Sequence, residues 1–231
     1  MPSLLRRSVA EGLGTFALVF IGGGSVLTDS FARYGVLGVS LAHGVVLAVM
    51  VTATMSISGG HLNPAVTIGL LVTRRTTAVT AAAYIATQLI AAILATLLLK
   101  AVYPPGVSRA LALGTPAIAS SITLGQAIGI EAILTFFLVC AVFGTCVNPE
   151  APKVGGFGIG LVLVFDILVG GPLTGAAMNP ARAFGPALIS GQWVGHIAYW
   201  VGPLAGAILA ALLWQHVLLP KAPALRRRMT D

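Results

Sequence analysis

The chain predicts an all-α membrane protein: six transmembrane helices plus two half-helices, arranged as an inverted repeat. Three observations carry this. Only 8% of the residues are charged and 57% are hydrophobic, with a mean hydropathy of +0.98, whereas a soluble domain has about 25% charged residues. Six apolar runs approach or exceed the roughly 20 residues that a span needs. The triplet Asn-Pro-Ala occurs twice, at Asn63-Pro64-Ala65 and Asn179-Pro180-Ala181, each time in apolar surroundings.

The first span runs from about Leu5 to Leu27, with Arg6-Arg7 at its start and Glu11 inside it. It has no clear cleavage site and reads as a retained span, not a signal peptide. A short loop with Asp29 and Arg33 leads to the second span, about Gly35 to Ile57. The stretch Ser58-Gly59-Gly60-His61-Leu62-Asn63-Pro64-Ala65-Val66-Thr67 follows, and its apolar tail, Val66 to Val72, is far too short to cross. The third span covers about Val79 to Val102, with Lys100 near its end.

Tyr103 to Ser121 is the longest connection and begins with Pro104-Pro105-Gly106. The fourth span runs from about Ile122 to Val147 and holds both cysteines, Cys140 and Cys146. Their spacing puts them on different faces of a helix, against a disulfide. After a turn-rich linker, Asn148 to Lys153, the fifth span runs from about Gly155 to Val169. The second triplet and its short tail, Ala183 to Ile189, precede the sixth span, about Val194 to Leu218. Residues 1–231 thus read as one domain, with repeats of about 1–103 and 122–231 and a linker of 104–121.

Each triplet reads as a helix start. Pro suits the first helical turn, where its missing N–H costs nothing, and Asn is a good cap just before it. The repeat is internal: Glu11 matches Glu131 at an offset of 120, and the triplets match at 116. Three spans per half is an odd number, so the second half enters the membrane from the opposite side. Arg6, Arg7, Arg74, Arg75, Lys153, Lys221 and Arg226 to Arg228 fall on one side; Arg33, Lys100, Arg109 and Arg182 fall on the other. The richer side is cytoplasmic, and both termini lie there. The net charge of +7 therefore reflects span anchoring rather than nucleic-acid binding. Two half-helices entering from opposite faces bring two positive helix ends to the midplane. Irregular backbone at that depth is tolerated only where it is buried in protein or lines a watery cavity.

The two triplets in this topology resemble the aquaporin, or major intrinsic protein, family, over nearly the whole chain. The motifs are Ser58-Gly59-Gly60-His61-x-Asn63-Pro64-Ala65-Val66-Thr67 and Asn179-Pro180-Ala181-Arg182-x-Phe184-Gly185-Pro186. The resemblance implies an aquaporin-like fold, a pore in each protomer and a homotetramer in the bilayer. It implies that Asn63 and Asn179 aim their amides at a central water. Carbonyls of Gly59, Gly60 and His61 form one polar rail; those of Gly175, Ala176 and Ala177 form the other. Glu11 and Glu131 brace the loops, against the rival reading of a proton relay. The family's selectivity filter falls at His43, Ile167, Ala176 and Arg182. This set resembles the plant tonoplast branch, some of whose members pass ammonia or urea; Met178 strengthens the likeness. Ammonia-permeable relatives can carry an extra His in the midpoint loop, and residues 103–121 contain none. Ala183, Ala187 and Tyr199-Trp200 resemble the water-channel branch rather than the glycerol branch.

The expected function is a passive channel for water and small neutral solutes, ammonia among them, that excludes protons and ions. A facilitator for ammonia, urea, hydrogen peroxide or glycerol is the alternative; a coupled transporter is a further class, and a structural junction the last. The scattered histidines and acids form no metal-ligand or nucleophile constellation, so no enzyme activity, cofactor or metal is expected. The expected location is a plasma (inner) membrane. Asp166, beside Ile167, is an intramembrane acid expected to support a loop or tune the outer mouth. His61 is expected to serve structurally through its carbonyl. His196 and His216 are expected at the membrane interface.

Overall fold

The computed structural model describes residues 2–152 and 154–220. Lys153, Lys221 and Arg226 to Arg228, all assigned to the cytoplasmic side, lie outside the described residues. The chain forms α1 (Leu4–Ala32), α2 (Gly35–Ser58), α3 (Pro64–Val72), α4 (Ala78–Val102), α5 (Pro105–Ala110), α6 (Leu124–Val142), α7 (Phe157–Thr174), α8 (Pro180–Ser190) and α9 (Ala198–Leu213). Single π-helical turns, Phe143–Val147 and Trp214–Leu218, extend α6 and α9. Six of the described helices are long and apolar enough to cross a membrane: α1, α2, α4, α6, α7 and α9.

Their starts follow from local chemistry. Thr77 Oγ1 accepts the Thr80 N–H to cap α4. Thr123 and Gln126 form a reciprocal capping box on α6. Asn63 and Asn179 cap α3 and α8, each with Pro in the first turn.

The spans differ from the sequence boundaries at three ends. Helix α1 runs on to Ala32 because Asp29 does not stop it: its carboxylate accepts the Gly35 N–H, and Arg33 closes the helix in a left-handed conformation (φ 53°). Helix α7 continues through Pro172 to Thr174. Helix α9 starts at Ala198 rather than Val194, because Gly195 (φ 67°) sits in a turn ahead of it. The long connection is also not plain loop. It holds α5 and a short 3-10 turn, Ala112–Gly114.

The two halves pack as an intertwined pair. Helix α1 lies on α2 and α4, and α6 lies on α7 and α9 in the same way. The half-helices cross over: α3 packs on α9, and α8 packs on α4. At the α2–α7 crossing a Cβ on Gly156 would lie 2.5 Å from the Ala48 carbonyl oxygen, so only glycine lets the backbones meet there. The outward faces are apolar, with Val9, Val45, Ile90, Ile133, Leu161 and Leu209 all exposed, as a lipid-facing surface requires. Arg7 Nε donates to the Tyr84 hydroxyl and Arg75 Nη2 to Gln215, which gathers these arginines at one end. Lys100 and Arg109 line a cavity with Ser190 at the other. Cys140 and Cys146 are free thiols, as their spacing predicts.

Candidate functional site

The two loops that lead into α3 and α8 are held open by acids from the neighbouring spans. Glu11, fully buried on α1, accepts the Ser58 hydroxyl at 2.6 Å and the backbone N–H groups of His61 (2.9 Å) and Leu62 (2.6 Å). Glu131, fully buried on α6, accepts the Thr174 hydroxyl at 2.7 Å and the N–H groups of Ala177 (2.9 Å) and Met178 (2.7 Å). Each carboxylate thus takes two consecutive backbone donors that the loop has taken out of helical bonding. The loops need this support. Leu62 (φ 51°), Ala176 (φ 44°) and Met178 (φ 51°) are non-glycine residues in the left-handed region, a conformation that costs about 1–2 kcal/mol per residue.

The half-helix starts meet and lock together. Asn63 Nδ2 donates to the Met178 carbonyl (2.8 Å), and Asn179 Nδ2 donates to the Leu62 carbonyl (2.9 Å). Each Oδ1 is also used: Asn63 caps Ala65, and Asn179 caps Ala181 and Arg182. An amide nitrogen carries two hydrogens. The cross-brace takes one from each Asn and leaves the other for the lumen, which both residues line.

That lumen is narrow. Its cavity volume is about 20 Å3, just above the 10–15 Å3 that one water needs. Its walls are unequal. Gly60, His61, Ala176 and Ala177 of the two loops line it, together with the hydrocarbon side chains of Leu18, Leu47, Val51, Leu138, Leu163 and Ile167. Gly175 lines the wider vestibule instead, and Gly59 is exposed and lines neither space. The vestibule has a volume of about 380 Å3, and it shares His43, Ile167 and Arg182 with the lumen. Ala176 lines the lumen and not the vestibule. The structure therefore brings together His43, Ile167, Ala176 and Arg182 where the passage narrows.

At the narrowing, Arg182 is 5% exposed. Its Nη1 donates to the Gly114 carbonyl at 3.0 Å, and its Nη2 lies 3.4 Å from His43 Nε2. His43 Nδ1 is 2.9 Å from the Val39 carbonyl. A carbonyl only accepts, so Nδ1 carries the hydrogen and Nε2 offers its lone pair to the guanidinium. The imidazole is neutral in this arrangement. Of the five guanidinium donors, one is fixed on the linker and one on the imidazole. Three remain for a passing solute.

Several of these partners escape a sequence reading. Gly114 lies in a linker with no periodic pattern. Gln88, on an apolar span, donates to Glu11 at 2.9 Å and reaches Thr67 at 3.2 Å. A polar residue inside a span is the signal that could have found it. Tyr84 and Tyr199 donate their hydroxyls to the carbonyls of Ser58 and Thr174, both at 2.8 Å. Their offset of 115 is a repeat signal in its own right. His61 Nδ1 lies 3.1 Å from Thr67 Oγ1, and its ring stands edge-on to Tyr84, so its side chain as well as its backbone is engaged. Asp166 is 1% exposed, and its Oδ2 has no partner among the described residues. His196 sits outside the spans among Phe184, Trp193 and Trp200, and accepts the Trp200 indole N–H at 3.1 Å. Burial holds its pKa below the ordinary imidazole value. His216 lies at the exposed end of the sixth span. Among the described residues no group of three or more His, Cys, Asp or Glu could hold a metal ion.

Comparison with known proteins agrees with this geometry. The family profile described as Major intrinsic protein matches residues 1–214. Aquaporin TIP4-4 of Zea mays is 45% identical over 228 residues, covering 93% of this chain and 87% of that protein. Probable aquaporin TIP3-2 of Arabidopsis thaliana is 40% identical over 238 residues, covering 95% and 86%. Among solved structures, the aquaglyceroporin from Plasmodium falciparum superposes with a TM-score of 0.83 at 24% identity, covering 93% of this chain and 97% of that one; this likeness speaks to the fold. With two Asn-Pro-Ala half-helices locked across a narrow lumen and relatives of this identity, the chain belongs to the major intrinsic protein family, as an integral, multi-pass membrane protein.

Proposed function

We propose that this chain is a passive water channel that excludes protons and ions. The observation that carries the reading is the Asn63–Asn179 cross-brace in a lumen of about 20 Å3. Water passes singly, trading neighbours for loop carbonyls on one wall. At the midplane the two free amide hydrogens and the two positive helix ends orient its oxygen. An oriented water cannot both accept and donate along the file, so the proton wire breaks there. Arg182 adds a fixed positive charge at the outer narrowing, and it repels cations.

The test is osmotic. Proteoliposomes carrying the chain should shrink several-fold faster than empty vesicles after a hyperosmotic step. Equal rates would sink the proposal.

A second reading has an observation of its own. Ile167 and Ala176 leave the narrowing apolar on two sides, beside His43 and Arg182. This supports passage of ammonia and other small neutral solutes beside water. Internal alkalinisation under an ammonium gradient, at the rate of empty vesicles, would remove ammonia. We further propose a homotetramer, whose mass in detergent should be four times that of one chain. We propose both termini cytoplasmic in a plasma (inner) membrane, supported by Arg6, Arg7, Arg74 and Arg75 at one end. A fluorescently tagged chain on an internal compartment would overturn that location.

A further inference from the structure

We propose that Gly22 is a positioning residue for the constriction: the side chain it lacks is the seat of the His43 ring. This rests on the reading of His43 and Arg182 as the filter. Gly22 is buried on α1, and it belongs to none of the motifs. A Cβ built on it would lie 2.5 Å from His43 Cδ2 and 3.0 Å from Cε1, and closer still to Nε2. Real Cβ atoms do not approach other atoms that closely, so any side chain here must move the ring.

The ring has little freedom to yield. Its far nitrogen is bonded to the Val39 carbonyl and its near nitrogen faces Arg182. Displacement away from Gly22 breaks one of these contacts or drives the imidazole into the narrowing. The next residue acts on the other partner of the arginine. A Cβ on Gly114 (φ 74°) would lie 2.9 Å from the Gly23 Cα, so the linker rests directly on α1 backbone. Both groups that touch the guanidinium, the His43 ring and the Gly114 carbonyl, are therefore set against one bare patch of α1.

The internal repeat supplies a control. At the offset of 120 that relates Glu11 to Glu131, Gly22 corresponds to Val142. At the offset of 116 that relates the triplets, His43 corresponds to Ile159. The half with an aliphatic side chain on the second helix keeps a branched residue on the first. The half with an imidazole has none. The matching position of the other half carries a buried valine, so the repeat does not by itself demand glycine there.

The experiment compares Gly22→Ala, His43→Ala and the double variant with the wild-type chain, in proteoliposomes and in detergent. Gly22→Ala alone should lower water permeability several-fold and lower the thermal midpoint. In the His43→Ala background the same change should do neither, because the clashing ring is gone. Equal effects of Gly22→Ala in both backgrounds, or none in the first, would overturn the proposal. Should Gly22→Ala fail to reconstitute, the double variant must reconstitute and conduct like His43→Ala; its failure too would assign Gly22 to general packing. The thermal midpoints report the coupling without transport. They decide the proposal even if wild-type vesicles shrink no faster than empty ones, the result that counts against the channel instead.

Discussion

The two loops are built alike and do different work. Each has a buried glutamate, a hydroxyl immediately before the glycine, two donated N–H groups, a capping Asn and a tyrosine on the last helical carbonyl. These shared parts shape the backbone. The differences begin where the loop ends. The inner loop is backed by Gln88 of α4, which bonds both Glu11 and Thr67; at the offset of 115 the outer half has Pro203, and Thr67 gives way to Ala183. The outer loop carries Arg182 where the inner has Val66, with His43 where the mirror ring has Ile159 and Ile167 where it has Val51. One end of the lumen is therefore ringed by hydrocarbon and the other holds the guanidinium. Loop support is common to both halves, and the guanidinium is the part that the second half alone supplies.

The largest expected effect attacks what the loops share. Replacing a carboxylate by an amide turns an acceptor oxygen into a donor that faces backbone N–H groups. Glu131→Gln should cost about 3 kcal/mol or more, given what hydrogen bonds to charged groups contribute. Glu11→Gln should cost more, because the Gln88 amide also loses its acceptor. Thermal unfolding in detergent ranks the two. A wild-type midpoint for either variant would mean that its loop is held by something else.

Arg182→Val attacks what they do not share, since it gives the outer ring the residue of the inner one. Urea and glycerol permeability should rise several-fold while water permeability changes less. Unchanged solute selectivity in stopped-flow measurements would move the filter away from His43, Ile167, Ala176 and Arg182.

The smallest effect concerns His196, which has no part in either ring. Its lowered pKa means that the unfolded chain binds its proton first as pH falls. Stability should therefore decline slightly as pH drops through the ordinary imidazole range. His196→Gln, which keeps an acceptor for Trp200, should flatten that decline and leave water permeability unchanged. A permeability change would tie the outer aromatic cluster to the pore.

Much of this was legible in the sequence. The triplets, the spans and the sidedness of the arginines follow from composition and repetition. The paired acids are visible because they recur at a fixed offset. Gly114 was not legible, since a backbone carbonyl leaves no mark in side-chain patterns. The same holds for the seat at Gly22, where the informative feature is a missing side chain inside an ordinary apolar run. One span end differs because a polar residue serves the helix instead of ending it, as Asp29 does by bonding Gly35; the others turn on Pro172, which α7 accommodates, and Gly195, which delays α9. The lesson is physical: repetition reports what both halves need, while the parts that set one half apart lie in single contacts between distant segments.

The cross-brace also sets a timetable. Leu62 and Asn63 each wait for a partner more than a hundred positions further along the chain. At about 5–20 residues per second of synthesis, the first half-helix must spend several seconds beside the membrane before its mate exists. During that interval only partners from the first half, Glu11, Tyr84 and Gln88, can hold the loop in shape. The pore therefore cannot be completed before the second loop is made, since Met178 and Asn179 supply the other half of the cross-brace.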